Sequence, residues 1–267
     1  MTTVQKKLVR SKSGLRIVAV GNEELSPFHL DEPPWTPDRE ASHTFGSLVN
    51  AVYCWPSFIP VLIDLVDTAL QHHCRRCGRV YCSNCCNRRL PLQRMCFVDP
   101  VRICHDCSPA TLRENDFYDR HLRLLLAGAH FLVTAVPDTG AALPHCCRLS
   151  SDHRILELEN AQSKECIEVP LASICTYRIL RPNSPGINDS SRSPSTSDGG
   201  LSGVMIGYRT HGATAGACDE QQDATIAQTL LHLGLSPVPE AAAQGALWIV
   251  ALNKAFRMIH SPDVSPE

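Results

Sequence analysis

The amino-acid sequence predicts an α+β protein in which a small cysteine-rich metal-binding module precedes a strand-rich domain that ends in a helix. Eight of the 14 cysteines lie between Cys74 and Cys107. Short strand-like runs separated by turn residues then lead to one long amphipathic segment, residues 239–260. These two observations, a cysteine cluster followed by many strands and one helix, determine the predicted fold class.

Composition limits the classes of protein to be considered. The chain has 267 residues, with 25 Lys and Arg against 27 Asp and Glu, so it lacks the overall positive charge of a basic nucleic-acid-binding protein. The N-terminal residues are polar and basic and contain no apolar signal-peptide core, so we expect no secretory leader. For a chain without such a leader, cysteine clustering indicates reduced thiols and metal rather than disulfides.

The sequence divides into segments of different composition. The predicted organisation is an extended N-terminal segment (1–40), an atypical apolar insert (41–70), a cysteine-rich finger (71–110), a second domain (111–260) and a tail (261–267). Residues 182–202 are rich in Ser, Pro, Asn and Gly and predict a mobile loop within the second domain. No set of residues in the chain has the pattern of a catalytic site, so we expect no enzymatic activity.

The second domain is predicted to open with a helix and to close with another. Thr111 and Glu114 have the spacing of a capping box, which predicts that the first helix begins near Thr111. Residues 224–233 fit a strand, with a helix as the alternative. The terminal helix places six residues on one face: Trp248, Ala251, Leu252, Ala255, Phe256 and Ile259. A small antiparallel barrel or sandwich, covered at one end by this helix, satisfies these patterns.

Three Cys-x-x-Cys pairs indicate structural zinc: Cys74 with Cys77, Cys82 with Cys85, and Cys104 with Cys107. Each pair can supply two thiolates to a tetrahedral ion. The spacing favours one complete site made by the first and last pairs, which leaves Cys82 and Cys85 as half of an incomplete second site. Single pairs can also be redox motifs or buried free thiols. The remaining ligand candidates for the second site are isolated: His43, Cys54, Cys86 and Cys96.

Charge is unevenly distributed around the cysteines. Between residues 70 and 107 there are seven arginines and two acidic residues. A positive surface of this kind fits an anionic target such as a phosphate-bearing headgroup, whereas a solvated arginine-rich face is the alternative. Aromatic residues for stacking on nucleic-acid bases are few, being limited to Tyr81 and Phe97.

Three motifs in this order resemble the FYVE zinc-finger family. "WTPD" at residues 35–38 resembles its W-x-x-D, "QHHCRRCG" at 71–78 its R-H-H-C-R-x-C-G, and "RIC" at 102–104 its R-V-C. The resemblance implies a zinc-dependent finger that binds phosphatidylinositol 3-phosphate on endosomal membranes, followed by a PH-like domain. It also implies a role at focal adhesions and in cell migration, with focal adhesion kinase as a possible partner, and a cytoplasmic, membrane-peripheral location.

The resemblance also assigns site residues. It implies two zinc ions in a crossed arrangement, one of them held by Cys74, Cys77, Cys104 and Cys107. The implied headgroup ligands are His72, His73, Arg75 and Arg102, with Asp38 accepting a hydrogen bond from a headgroup hydroxyl or holding a histidine. Because free histidine titrates near pH 6.5, binding is expected to strengthen on acidification.

The insert departs from the family pattern at residues 41–70. The family's first Cys-x-x-Cys belongs there, but the segment has only Cys54. It is interpreted as an alternative exon, a retained intron or a gene-model error. Residues 45–63 carry no charge, which suits a shallow membrane-inserting loop, a transmembrane helix or an unstructured segment.

This departure leaves other functions open. Without its first ligand pair the finger becomes a protein-interaction module that no longer binds lipid. A RING-type ubiquitin ligase uses the same crossed zinc arrangement, although the paired histidines and the arginines argue against that class.

Overall fold

The computed structural model describes residues 7–11, 14–19, 25–36, 71–82, 84–136, 141–182, 200–210 and 227–260. The chain divides into two compact units, one made by residues 1–119 with 258–267 and the other by residues 120–257. Each combines helices with antiparallel strands, so the predicted α+β class is confirmed. Asp38, His43, Cys54 and the insert 41–70 lie outside the described residues, as does most of the predicted loop 182–202.

The first unit is built from three short antiparallel pairs and a helix. β1 (Lys7–Arg10) pairs with β2 (Arg16–Ala19), β3 (Gln71–His73) with β4 (Val80–Cys82), and β5 (Arg88–Leu90) with β6 (Val101–Ile103). A 3-10 turn, Gln93–Met95, lies between β5 and β6. Helix α1 (Ser108–Asp116) starts immediately after Cys107.

The N-terminal hairpin is a defined part of this unit, which the predicted extended segment did not include. Ile17 of β2 bridges to Phe97, and the Arg16 guanidinium donates to both carboxylate oxygens of Asp99 at 3.0 and 2.7 Å. Leu15 and Ile17 pack against a buried cluster that includes Phe97. The hairpin therefore extends the core of the cysteine-rich unit.

The predicted capping box is wrong. Helix α1 begins at Ser108, and Thr111 lies inside its first turn, where the hydroxyl donates to the Cys107 carbonyl at 3.0 Å. The Glu114 carboxylate instead accepts from Arg76 at 2.5 Å and from Arg94 at 2.7 Å. All three side chains are about one-tenth exposed. This acid therefore pairs with two of the seven arginines in the interior of the unit and offsets one of their two charges.

The second unit is one seven-stranded antiparallel sheet with two helices. Helix α2 (Leu122–Ala127) follows a π-helical turn, Phe117–His121. In chain order the strands are β7 (Ala129–Val136), β8 (Leu143–Leu149), β9 (Ile155–Asn160), β10 (Cys166–Pro170), β11 (Ile174–Leu180), β12 (Gly203–Thr210) and β13 (Ala227–Leu235). Their order in the sheet is β10-β9-β8-β7-β13-β12-β11. The strand interpretation of residues 224–233 is thus confirmed for residues 227–233, and residues 224–226 lie outside the described part.

The connection between β10 and β11 requires the sheet to roll up. These strands lie at opposite edges, yet only Leu171–Ser173 separate them. Four Cα steps span at most about 14 Å, whereas the edges of a flat seven-stranded sheet would lie about 29 Å apart. No ladder joins β10 to β11 in the described part of the chain, so a closed barrel is not observed.

Helix α3 (Pro239–His260) supplies much of the buried surface of the second unit. Five of the six residues predicted on its inner face are buried: Trp248, Ala251, Leu252, Ala255 and Phe256. Ile259 is half-buried. The Trp248 ring contacts Phe131 at 5.3 Å between centroids, and its indole N–H donates to the Leu125 carbonyl at 3.4 Å.

Replacing this tryptophan is expected to destabilise the second unit. Trp248→Ala removes a fully buried ring and leaves a cavity, so we expect a loss of about 3–5 kcal/mol in the free energy of unfolding. Leu247→Ala is the matched control, because Leu247 lies next to it with 57% of its surface exposed and should cost within about 0.5 kcal/mol. Equal losses in urea unfolding would contradict the assigned face.

A second pair of variants tests the buried acid. Glu114→Gln removes the negative charge that lies between the Arg76 and Arg94 guanidinium groups, at an expected cost of about 3–5 kcal/mol. Glu157→Gln makes the same change in the Glu157–Arg148 pair, which is more exposed, and should cost about 1 kcal/mol or less. Denaturant unfolding of the zinc-loaded chain measures both, and a cost below 1 kcal/mol for Glu114→Gln would refute the buried role.

Candidate metal centre and phosphate-facing surface

Two tight turns bring four cysteines together. Cys74–Cys77 forms the turn between β3 and β4, where the Gly78 amide donates to the Cys74 carbonyl at 2.9 Å. Cys104–Cys107 joins β6 to α1, and the Ser108 amide donates to the Cys104 carbonyl at 3.1 Å. Both turns follow short strands, so their positions are fixed by the β3–β4 and β5–β6 pairs.

The four sulfur atoms have the spacing of a metal centre. They all lie within 4.8 Å of one another, and three of the four residues are buried. A tetrahedral zinc with Zn–S bonds near 2.3 Å would hold its sulfurs about 3.8 Å apart. Backbone amides of Cys104 and Cys107 donate to the sulfurs of Cys74 and Cys104 at 3.3 and 3.4 Å. Such donors stabilise thiolates, so the donor set fits a zinc ion.

The protonation of these thiols shows why a cation belongs here. Hydrogen bonds from neighbouring thiols, with Cys104 first, lower the pKa of Cys74. The pKa of Cys107 is raised, chiefly by its hydrogen bond with Cys104. A thiolate at one cysteine of this cluster therefore disfavours the ionisation of the next thiol. A divalent cation would remove that opposition and allow all four sulfurs to bind as thiolates.

Cys86 and Tyr81 extend the cluster beyond the predicted ligands. The Cys86 side chain is fully buried, and its hydrogen bond with Cys74 is the first cause of its raised pKa. The Tyr81 hydroxyl lies 3.8 Å from the Cys77 sulfur. Cys86 follows Cys85 directly, which made it a ligand candidate for the incomplete site, but the structure places it against the complete one.

The structure brings no second set of ligands together among the side chains it describes. Cys85 is half-buried and joins no group of three metal-ligating residues. Cys82 lies on β4, but the described part does not include its side chain. Cys96 instead contacts His29, with 3.7 Å between its sulfur and Nδ1.

The predicted headgroup residues surround the Cys74–Cys77 turn. His72 and His73 lie on β3 and Arg102 on β6. The Arg75 amide donates to the Arg102 carbonyl at 2.9 Å, which ties the turn to β6. Burial, followed by the charges of Arg102 and Arg75, lowers the pKa of His72. Since two nearby guanidinium groups act on one imidazole, these three side chains share a local positive field, which disfavours the charged form of His72.

Trp35 positions two of these residues, a role that the sequence analysis did not assign. Its ring stacks on His73 with centroids 4.7 Å apart, and the Arg75 guanidinium carbon lies 4.3 Å from the Trp35 centroid. The His73 Nε2 atom is 2.9 Å from the Thr36 carbonyl oxygen, to which it donates. The W-x-x-D motif marked this tryptophan, but only the fold shows that it fixes a histidine and an arginine.

Gly78 allows residues 34–36 to approach the Cys74–Cys77 turn. Its φ of 74° is in the left-handed region, and a Cβ atom there would lie 2.3 Å from the Pro34 carbonyl oxygen. The Thr36 amide donates to the Gly78 carbonyl at 3.1 Å. A glycine is required here by conformation and by close contact, since any side chain would displace residues 34–36 from the turn.

The comparisons with known proteins agree with this geometry. A sequence model described as FYVE zinc finger matches residues 54–113, and one described as the C-terminus of zinc finger FYVE domain-containing protein 21 matches residues 116–263. Among curated relatives is phosphatidylinositol-3,5-bisphosphate 3-phosphatase MTMR4. The mouse protein is 32% identical over 97 residues, covering 36% of this chain and 7% of its own length. The human protein is 34% identical over 73 residues, covering 27% and 5%.

These relatives share only a segment with this chain, which spans less than a tenth of their length. The C-terminal family model, in contrast, covers more than half of the chain. The predicted resemblance to FYVE fingers is confirmed. The chain belongs to the family of zinc finger FYVE domain-containing protein 21, with a FYVE zinc finger preceding the C-terminal domain of that family.

Proposed function

We propose that the chain is a non-enzymatic, peripheral membrane adaptor whose finger binds phosphatidylinositol 3-phosphate. The observation that carries the proposal is the convergence of His72, Arg75 and Arg102 beside the four-cysteine cluster. Arginine binds phosphate through two parallel hydrogen bonds, and several such donors around one site select a compact dianion. The FYVE match supports this ligand class.

The proposed binding roles follow from the contacts of each residue. Arg75, stacked on Trp35, donates to the phosphate, and Arg102 donates from the neighbouring strand. His72 adds a third donor. His73 is held by Thr36 and Trp35 and is proposed to contact the headgroup from that fixed position. Asp38 is proposed, from the family pattern, to bind a headgroup hydroxyl or a histidine.

The finger is proposed to hold one zinc ion through Cys74, Cys77, Cys104 and Cys107. The ion would join the β3–β4 turn to the β6–α1 junction and so fix the distance between Arg75 and Arg102. The second site of the family pattern, with Cys82 and Cys85, is proposed to be incomplete because residues 41–70 supply only Cys54.

The second unit is proposed to be PH-like and to support lipid or protein contacts. Its rolled antiparallel sheet and C-terminal helix support this interpretation. Location at endosomes and focal adhesions, with focal adhesion kinase as partner, is part of the same proposal and rests on the family alone. Among the described residues no helix is both long and apolar enough to span a bilayer.

One observation favours a second function. A second group of metal ligands is not found among the described side chains, and residues 41–70 contain a single cysteine where the family pattern has a Cys-x-x-Cys pair. A protein-interaction module that has lost lipid binding would have the same single cluster. Lipid binding by the purified chain separates the two functions.

Flotation with liposomes tests the lipid proposal. The zinc-loaded chain should float with vesicles that contain phosphatidylinositol 3-phosphate and remain behind with vesicles that lack it. Arg75→Ala should weaken binding about 10- to 100-fold, because it removes charge-assisted hydrogen bonds to phosphate. Arg113→Ala is the matched control, since Arg113 is exposed on α1. Equal flotation of both variants would refute the site, and no flotation of the unchanged chain would favour the interaction module.

Zinc content tests the metal proposal independently. We expect one zinc ion per chain by elemental analysis after gel filtration. Cys104→Ser should reduce this value to near zero and destabilise the first unit, because structural zinc contributes directly to folding free energy. Cys166→Ser, which changes an exposed cysteine of the second unit, should leave it unchanged. Two ions per chain would show that Cys82 and Cys85 have found partners.

A further inference from the structure

Cys96 lies in a line of three reactive groups away from the zinc ligands. Its sulfur is 3.7 Å from Nδ1 of His29, and Nε2 of the same ring is 3.4 Å from a carboxylate oxygen of Asp31. When the hydrogen of the neutral ring is on Nε2, Nδ1 can accept the thiol proton and Nε2 can donate to the carboxylate. A thiol, an imidazole and an orienting carboxylate are the groups by which cysteine nucleophiles are activated.

The backbone fixes Cys96 in this place. Its φ is 59°, which makes it one of three non-glycine residues with positive φ in the described part of the chain. The Cys96 amide donates to the Gln93 carbonyl at 2.9 Å, and its carbonyl accepts from the Val18 amide at 3.1 Å. The residue thus has a conformation that side chains rarely adopt, held by the 3-10 turn and by β2.

Cys96 interacts electrostatically with Tyr118, a residue that also senses the charges of Arg94 and Glu114. Arg94 Nε and the Tyr118 hydroxyl both donate to the Phe28 carbonyl, the residue before His29, at 2.9 and 3.2 Å. Arg94 shares its charge with Glu114. Burial is the main cause of the raised pKa of Tyr118. The charge of Arg94 lowers this pKa, whereas the charges of Cys96 and Glu114 raise it. Tyr118 therefore stays neutral at physiological pH. Asp31 has 96% of its side chain exposed, so its contact with His29 orients the imidazole but adds little charge stabilisation.

Cys166 shows the contrasting environment in the same chain. It is exposed on β10, and burial followed by the charges of Glu157 and Glu168 raises its pKa. Its β9 partner is Glu159, another acid. If exposure alone determined reactivity, Cys166 would react before the half-buried Cys96.

We propose that Cys96 is a reactive thiol that forms a mixed disulfide with small disulfides of the glutathione class, with His29 as its base. Nδ1 of His29 takes the thiol proton, and the Cys96 sulfur attacks one sulfur of the disulfide. The new S–S bond forms as the old one breaks, and the leaving thiolate takes the proton from His29. One disulfide and one protein thiol thereby give one mixed disulfide and one small thiol.

The test uses the zinc-loaded full chain and oxidised glutathione at pH 7, with timed acid quenching, trypsin digestion and mass spectrometry. The tryptic peptide of residues 95–102 contains Cys96 as its only cysteine, and that of residues 165–178 contains the two exposed cysteines, Cys166 and Cys175. We expect the first peptide to be modified about tenfold faster, because His29 Nδ1 is placed to take the Cys96 proton. Modification no faster than that of Cys166 would overturn the proposal.

The pH profile separates activation by His29 from a structural role. Between pH 7 and pH 9 an unassisted thiol gains about 25-fold in thiolate, whereas the Cys96 rate should rise only a few-fold. His29→Gln should slow the pH 7 reaction about tenfold and restore the steep profile. Zinc content and unfolding midpoint show whether the variant remains folded. A steep profile in the unchanged chain, or a folded variant with an unchanged rate, would refute the assignment.

Discussion

The first unit depends on the meeting of two cysteine turns that are far apart in sequence. Cys74–Cys77 and Cys104–Cys107 bring four sulfurs within 4.8 Å of one another. Without an ion, each thiolate in this cluster disfavours the ionisation of the neighbouring thiols. A shared zinc would convert this conflict into a crosslink between the β3–β4 turn and the β6–α1 junction. Arg75 lies in the first turn, and Arg102 lies on β6, which leads directly into the second turn. The same crosslink would therefore set the spacing of the proposed phosphate donors.

The N-terminal segment places a second constraint on the Cys74–Cys77 turn. Gly78 lets residues 34–36 lie directly on it, and Trp35 then contacts both His73 and Arg75. An arginine on a flexible stem loses rotamer freedom when it binds phosphate. Stacking on an indole limits that freedom before the ligand arrives, so the proposed site is partly organised in the lipid-free chain.

The sequence allowed prediction of features that depend on short spacing. The Cys-x-x-Cys pairs pointed to the four-sulfur cluster, and the helical period identified the buried face of α3 from Trp248 to Phe256. Contacts between distant residues were not predictable in this way. Glu114 has a capping-box spacing from Thr111 but binds Arg76 and Arg94, and Cys96 meets His29 from a different part of the chain. Local propensity is a weak guide where a buried charge needs a partner.

The cohesion of the first unit does not come from cysteine chemistry alone. A buried cluster that includes Leu92, Met95, Phe97 and Ile103 contacts Leu15 and Ile17 of the N-terminal segment. Arg94 also links the Phe28 carbonyl to Glu114 of α1. These contacts join the segments before and after the insert by apolar burial and by a hydrogen bond from a buried arginine, neither of which needs a second zinc ion. Such a framework helps to hold Trp35 beside Arg75 through contacts that do not involve Cys82 and Cys85.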